Sequence, residues 1–291
     1  PVSRYPWWIS FFVSISTFGF AQPLLSQAIL PYTPDLNSEK LEQQGIQMVE
    51  EAIQLLRFQR PDAALGRAKL ATQLAPELYQ TWFILGTLYL QQGQVNSGIV
   101  ALKTAQAMAP QEAGILFSLG NAYFQKGEYQ EAVRQIQAGL KLDPDVPSAL
   151  FDLGNAHLKL KEYPESLQAY SQAIAKDGKF WPAINNMGLV EYEKGNREAA
   201  MKKWQEVIAI DKEQAEPQLA LAVALYKQGK TKEGLKMGEA ALILDGRYGE
   251  LKFLRENLWG DKLLQDTEAF LKTPTMQAVL ARTTTSTVPV E

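Results

Sequence analysis

LGNAYFQKGEY at residues 119–129 returns as LGNAHLKLKEY at residues 153–163, with six of eleven positions identical and an offset of thirty-four residues. A catalytic motif usually occurs once in a chain, whereas recurrence at a fixed period is typical of a structural unit that is used several times. This stretch therefore predicts an internal repeat, and its period fixes the frame for the rest of the sequence.

The thirty-four-residue period extends in both directions from this stretch. Small residues recur after a large apolar residue at Gly86, Gly120, Gly154 and Gly188. A second series follows seven residues later at Gly93, Gly127, Gly195 and Gly229, with Lys161 in the remaining place. Large apolar residues stand at Leu102, Ile136, Tyr170 and Trp204, and prolines at Pro76, Pro110 and Pro144.

Each of these series has a physical reason in a repeated pair of helices. The first glycine lets the first helix of a unit approach the second helix closely. The second glycine ends the first helix in the left-handed conformation, and proline marks the turn into the next unit. A helix pair of this kind buries its apolar face only against its neighbours, so the sequence predicts an all-α solenoid.

One unit carries a family signature. WFILGTLY at residues 82–89 fits the pattern W-x-x-L-G-x-x-Y of the tetratricopeptide repeat, and the chain resembles that family over residues 45–248. The resemblance implies a right-handed superhelical solenoid of about six helix pairs. The outer units depart from the pattern, with Ala52 and Ala222 in place of the first glycine.

The flanking sequences complete the predicted organisation. Leucines at helical spacing predict capping helices at 249–271, broken near Gly260, and the polar run TTTST favours a disordered tail. The predicted segments are a membrane anchor at 1–30, a linker at 31–44, the solenoid at 45–248, the capping helices at 249–271 and the tail at 272–291.

The anchor prediction rests on an uncharged run near the N-terminus. No charged residue lies between Arg4 and Asp35, and residues 7–30 are long enough to cross a bilayer, which takes about 20 residues. We expect an uncleaved, single-pass hydrophobic helix in a membrane. The alternative is a signal peptide, since Gly19 and Ala21 are small residues at plausible cleavage spacing.

Composition excludes several function classes. A net charge of −3 gives no basic surface for nucleic acid, and the absence of cysteine excludes disulfides and thiolate sites. Nucleotide-binding and metalloprotease motifs are absent, so we expect no enzyme activity, no cofactor and no small-molecule substrate. The single histidine, His157, occupies the position of Tyr89 and Tyr123 in earlier units, which favours a role in helix packing.

The family resemblance implies a binding groove for a protein or peptide segment. Positions 2, 5, 9 and 12 of each first helix usually line the concave face of such arrays. The candidate partner-binding residues are Phe83, Thr87, Phe117, Asn121, Phe124, Phe151, Asn155, Asn185 and Tyr192. The alternative for the phenylalanines is packing between neighbouring helices, and for the asparagines it is hydrogen bonding along the helix surface.

The repeated asparagines are the most informative of these candidates. An amide side chain both donates and accepts, so Asn121 and Asn155 are suited to hold a peptide backbone without reading its sequence. Chaperone-binding members of the family carry a lysine four residues before this asparagine. Phe117 and Phe151 stand there instead, so binding of an acidic chaperone terminus is not expected.

A narrower resemblance concerns two other stretches. ILPYTPDLNSEKLEQQG and ENLWGDKLLQDTEAFLKTP are similar to cyanobacterial and plastid thylakoid members of the family. This resemblance implies a membrane-anchored scaffold in chlorophyll synthesis or photosystem assembly. The alternatives are a periplasmic or secreted peptide-binding module freed by cleavage near Ala21, and, more remotely, an accessory domain of an enzyme.

Overall fold

The computed structural model describes residues 37–285, and the predicted anchor at 1–30 lies outside them. Throughout the described range the chain is helical, with no strand. Twelve helices form six consecutive pairs: α1 Ser38–Arg57 and α2 Pro61–Leu74, α3 Tyr79–Gln91 and α4 Val95–Met108, α5 Ala113–Lys126 and α6 Tyr129–Leu142, α7 Pro147–Lys159 and α8 Tyr163–Lys176, α9 Trp181–Lys194 and α10 Arg197–Ile210, α11 Ala215–Lys227 and α12 Thr231–Leu244.

The pairs stack as the period predicts. The two helices of each pair pack against each other, and the second helix of each pair packs against the first helix of the next. The first helices of neighbouring pairs also touch, so α1, α3, α5, α7 and α9 form a continuous row. The predicted solenoid of about six helix pairs is confirmed.

Close approach within a pair depends on the first glycine series. A Cβ added at Gly120 would lie 2.4 Å from Cγ1 of Ile136 in the facing helix. The same relationship joins Gly188 to Trp204, whose Nε1 would lie 2.4 Å away. Both large side chains are fully buried. Each glycine thus makes the space for the large residue sixteen positions later.

The second series ends the first helices. Gly127 has a φ of 83° at the end of α5, in the left-handed region that glycine adopts most easily. Lys161, which stands in the place of a glycine, takes the same conformation with a φ of 61°. The backbone geometry is therefore repeated even where the residue type is not.

The structure corrects the predicted start of the solenoid. Helix α1 begins at Ser38, so the last seven residues of the predicted linker at 31–44 are helical. Glu39 in the first turn is favourable beside the positive end of the helix dipole, and Gly45 packs closely on Ala75, the residue that follows α2. Ala52, which replaces the first glycine, is fully buried as the pattern predicts for this unit.

The C-terminal segment follows a less regular path. After a 3-10 helix at Gly246–Gly249 come α13 Leu251–Glu256, α14 Asp261–Leu271 and α15 Pro274–Thr285. Helix α14 lies on α9 and α11, the first helices of the last two pairs, while α15 packs on α12 at the end of the solenoid. The chain therefore crosses the row of first helices before it caps the array.

Helix α15 contradicts the predicted disordered tail at 272–291 over residues 274–285. Met276 and Val279 are buried in the same cluster as Leu242 and Phe270. Their spacing of three residues places them on one face of a short helix. Polar residues surround these two in the sequence. The composition of residues 272–291 therefore favours disorder even though one face of the helix is apolar.

No helix between residues 37 and 285 combines the length and the hydropathy needed to cross a membrane.

Candidate functional site

A cluster of amide side chains lies on the row of first helices, where α7 meets α9. Asn155 of α7 accepts hydrogen bonds at Oδ1 from the Tyr170 hydroxyl at 2.7 Å and from Nδ2 of Asn186 at 2.9 Å. Tyr170 is fully buried, and burial raises the pKa of its hydroxyl, so it stays a hydrogen-bond donor. These bonds hold the Asn155 side chain in a fixed orientation.

The neighbouring amide is less well satisfied. Asn185 is only 1% exposed, and its Nδ2 donates to Oδ1 of Asn186 at 3.2 Å. Its own Oδ1 has no hydrogen-bond partner among the described residues. A buried amide oxygen without a partner costs free energy on the order of 1–3 kcal/mol, so this group is one to explain by function or packing.

A carboxylate completes the polar cluster. Glu216 stands at the second position of α11, and its Oε1 accepts a hydrogen bond from Nε1 of Trp259 at 2.9 Å. Burial raises the pKa of Glu216 to about 7, against the lowering effect of hydrogen bonds from Trp259 and Asn185. Both the protonated and the ionised form of this carboxyl are therefore within reach near neutral pH.

These groups surround a cavity of about 300 Å³. Its polar side is formed by Asn155, Asn185, Asn186 and Glu216. Its apolar walls are formed by Phe124, Phe151, Trp181 and Pro182. The Phe151 ring is held in place by edge contact with Phe180, with ring centroids 5.6 Å apart.

One side of the cavity is supplied by the chain's own C-terminal segment. Glu256, Asn257 and Leu258 line it at the end of α13. Leu258 has a φ of 69°, which is unusual for a residue with a branched side chain. This backbone conformation directs the chain from α13 towards α14 at the point where Trp259 meets Glu216.

Beyond the cavity, the same segment covers the last first helices. Tyr192 of α9 donates to Oδ2 of Asp266 at 2.7 Å, and Lys227 of α11 pairs with Oδ1 of that residue at 2.7 Å. Burial opposes ionisation of Asp266, but hydrogen bonds from Lys227 and Tyr192 lower its pKa below the ordinary value. The backbone N–H of Leu263 also donates to Glu193 at 3.1 Å.

The predicted binding residues fall into four groups, the last of which takes part in packing. Phe124, Phe151, Asn155 and Asn185 line the cavity and are brought together. Asn121 is exposed on α5, where its Oδ1 accepts from Gln125 at 2.7 Å. Tyr192, by contrast, is 3% exposed beneath the C-terminal segment and is closed to a partner in this structure.

The remaining candidates take part in packing within the array. Phe117 lies over Gly139, where an added Cβ would be 2.5 Å from the ring, and Phe83 packs on the same cluster. The Thr87 hydroxyl donates to the carbonyl of Ile84 at 2.9 Å. His157 is 8% exposed, with its Nδ1 2.6 Å from Glu162, as expected of a residue in helix packing.

Several cavity residues were missed from the sequence. Glu216 and Pro182 occupy the second position of their units, a position that the family pattern assigns to the groove, so this signal was available. Asn186 and Trp181 lie outside the groove positions. The residues from Glu256 to Leu258 come from beyond the repeat, and the period carries no information about them.

Comparisons with known proteins support the resemblance of this chain to the tetratricopeptide repeat family. A family model described as tetratricopeptide repeat matches residues 85–135 and 117–179, and one described as TPR repeat matches residues 188–229. No curated protein gives a significant match.

Several solved structures share the fold. The pilF protein of Pseudomonas aeruginosa aligns with a TM-score of 0.61 and 13% identity, over 79% of this chain and 99% of that chain. MamA aligns with a TM-score of 0.51 and 24% identity, over 55% and 94%. YrrB, described as a TPR protein with an unusual peptide-binding site, aligns with a TM-score of 0.52 and 18% identity, over 62% and 92%.

Proposed function

We propose that this protein is a scaffold or adaptor that holds a segment of a partner protein against its row of first helices. The cavity beside Asn155 and Glu216 carries the proposal, because it offers polar groups and aromatic walls where α7 meets α9 in that row. Tetratricopeptide repeat proteins are generally non-enzymatic scaffolds, and the matching models describe repeats and no enzyme. YrrB, which shares the fold, is described as having a peptide-binding site.

The accessible surface defines where such a segment would lie. Helices α9 and α11 are covered by the C-terminal segment, whereas Asn121 of α5 is exposed. Phe124 and Phe151 are only partly buried and continue this surface into the cavity. A bound segment would therefore run over α3, α5 and α7 and end at the cavity.

The experiment that tests this function is capture of a partner by the full chain as bait, after detergent solubilisation of the native cells. Asn121→Arg places a bulky charge on the proposed surface, and we expect it to abolish capture while the helical content stays unchanged. Val100→Arg is the matched control, because Val100 is 65% exposed on α4, a second helix. Equal capture by wild type and Asn121→Arg would contradict the proposal.

We also propose that residues 7–30 anchor the protein in a membrane by a single pass. The support is the uncharged run itself, which exceeds the length of about 20 residues that spanning requires. Fractionation followed by a carbonate wash tests it. We expect the intact chain to stay in the pellet, and its full release would exclude the anchor.

The narrower proposal is that the partner belongs to a photosynthetic membrane. Its support is the resemblance of two stretches, at residues 29–45 and 256–274, to thylakoid members of the family. Among these is Pitt, which interacts with light-dependent protochlorophyllide oxidoreductase. Identification of the captured protein by mass spectrometry tests this directly, because a chlorophyll-synthesis enzyme or a photosystem assembly component is expected.

A second candidate is a periplasmic or secreted peptide-binding module released by cleavage. Gly19 and Ala21, two small residues at cleavage spacing, favour it. N-terminal sequencing of the mature protein separates the two candidates. A chain that begins shortly after Ala21 would support release, and one that retains residues 7–30 would support the anchor.

A further inference from the structure

The cavity beside Glu216 presents several hydrogen-bond acceptors. Nδ2 of Asn186 donates to Asn155 at 2.9 Å, and Nδ2 of Asn185 donates to Asn186 at 3.2 Å. The Asn185 oxygen has no partner among residues 37–285. The Glu216 carboxylate and the Glu256 carboxylate add acceptor oxygens at the same cavity. A ligand that satisfies these groups must bring donors.

The charge of the cavity also favours a ligand that carries hydrogen-bond donors. In the described part of the chain, the hydrogen-bond partners of Glu216 are Trp259 and Asn185, and no lysine or arginine there pairs with it. Among the residues that the structure describes, Glu256 meets a cation only in a long, exposed pair with Lys252 at 3.9 Å. Glu256, together with Glu216 whenever that carboxyl is ionised, therefore places negative charge at the cavity, and Lys252 is the one described cation that pairs with it.

The walls suit a flat cation. Phe124, Phe151 and Trp181 line the cavity, and the face of an aromatic ring attracts a cation placed over it. A guanidinium group is planar, carries five N–H donors and stacks on aromatic rings. An anion would instead meet two carboxylates, and a purely apolar group would leave the acceptors without partners.

We propose that this cavity binds an arginine side chain of the partner segment, with its guanidinium donating to the Glu216 carboxylate. The proposal rests on the scaffold function above and adds to it the chemistry that the partner must present. It also gives the segment a fixed end point, because Glu256, Asn257 and Leu258 close the far side of the cavity.

The cavity provides its own reporter for a test. The Trp259 indole donates directly to Glu216, so a cation that binds the carboxylate changes the surroundings of that ring. The full chain, labelled with 5-fluorotryptophan and held in a neutral detergent, is suited to fluorine NMR because it contains six tryptophans. A Trp259→Phe variant assigns the signal.

The probe is N-acetyl-arginine methylamide, and its control is the citrulline counterpart, which has the same shape without the charge. We expect the arginine probe to shift the Trp259 signal in a saturable way and the citrulline probe to shift it at least about tenfold less at equal concentration. Equal shifts from the two probes, or none from either, would overturn the proposal. This comparison uses wild type alone and so does not depend on the folding of a variant.

A pair of variants localises the effect. Glu216→Gln keeps an acceptor for Trp259 but removes the charge, and it should weaken the arginine response at least about tenfold. Glu112→Gln makes the same change in charge at the start of α5, outside the cavity, and should leave the response unchanged. An unchanged response in folded Glu216→Gln would overturn the assignment.

Partner capture separates this inference from the scaffold function. If Glu216→Gln retains the partner as well as wild type, the cavity does not read an arginine of that partner, while the scaffold function still stands. If neither protein captures a partner, the scaffold function fails, and the response to the arginine probe still decides whether the cavity binds a guanidinium group.

Discussion

The indole N–H of Trp259 donates to the Glu216 carboxylate at 2.9 Å, joining two residues that are 43 positions apart. Glu216 belongs to the first helix of the sixth pair, and Trp259 belongs to the segment that lies across the row of first helices. This contact holds a partly buried carboxylate at the wall of the cavity. It also marks where the accessible part of the row ends and the self-covered part begins.

Stability should depend on pH through this carboxylate. The pKa of Glu216 is about 7 in the folded chain against an ordinary value of 4.5, because burial disfavours the charged form. A raised folded-state pKa means that the native state binds the proton more tightly, so the contribution is fully present below about pH 4.5 and is lost as pH rises to about 7. We expect the free energy of unfolding to fall by roughly 2–3 kcal/mol across this window.

Urea unfolding at pH 5 and pH 8 measures the effect. Glu216→Gln should remove this part of the difference between the two pH values and leave the part due to Asp152, whose pKa burial raises to about 6. Asp152→Asn is the matched variant and should remove only that second part. If the difference in the free energy of unfolding between pH 5 and pH 8 is the same in both variants as in wild type, the carboxyls of Glu216 and Asp152 are not buried in the folded chain.

The first glycine series should be sensitive to the addition of a single methyl group. Gly120→Ala places a Cβ 2.4 Å from Ile136, and we expect a loss of about 1–3 kcal/mol in the free energy of unfolding. Gly66 is the matched control, because it also lies inside a helix but has no atom near its added Cβ. Gly66→Ala should stabilise the chain by about 0.5–1 kcal/mol.

A double-mutant cycle identifies the cause of the Gly120 effect. The double variant Gly120→Ala with Ile136→Ala removes the clash. Its loss in the free energy of unfolding should therefore be smaller than the sum of the losses of the two single variants. Strict additivity would mean that the two residues do not touch. Thermal melts of the four proteins are sufficient for this comparison.

Gly127 should matter for a different reason. Its added Cβ would meet nothing within 4 Å, but its φ of 83° is strained for any residue with a side chain. We expect Gly127→Ala to cost on the order of 1 kcal/mol, without any partner residue whose truncation restores stability. Rescue by truncation of a neighbouring side chain would argue against a backbone origin.

The two repeated asparagines should behave differently on truncation. Asn155→Ala leaves the buried Tyr170 hydroxyl without its acceptor, so we expect a loss of roughly 1–3 kcal/mol in the free energy of unfolding. Asn121→Ala removes an exposed side chain and should change stability by less than about 0.5 kcal/mol. Circular dichroism melts check both, and an equal loss in the two variants would contradict the structure.

Helix α15 gives a direct test of the corrected C-terminus. Met276 and Val279 are buried against the solenoid, so the amide hydrogens of residues 278–283 should exchange with solvent slowly. Met276→Ala should cost about 2–4 kcal/mol, in the range for truncation of a buried methionine. Rapid exchange throughout this range in wild type would restore the prediction of a disordered tail.

Much of the array could be predicted because its determinants are local or periodic. Gly120 and Ile136 are sixteen residues apart within one unit, and the same pairing returns at Gly188 and Trp204. Helix ends follow from the left-handed position at Gly127, which the sequence marks with glycine. Of the predicted binding residues, Phe124, Phe151, Asn155 and Asn185 do meet at one cavity.

The sequence by itself determined the helix pairs, their order and their spacing, because each unit buries its apolar residues against neighbours at a constant separation along the chain. Only the tertiary structure decided that Tyr192 donates a hydrogen bond to Asp266 and that Trp259 donates one to Glu216. These partners are 74 and 43 residues apart along the chain. These contacts occur once, between a repeat and a segment outside it. No periodic signal marks them, and they depend on the complete solenoid being present to receive the C-terminal segment.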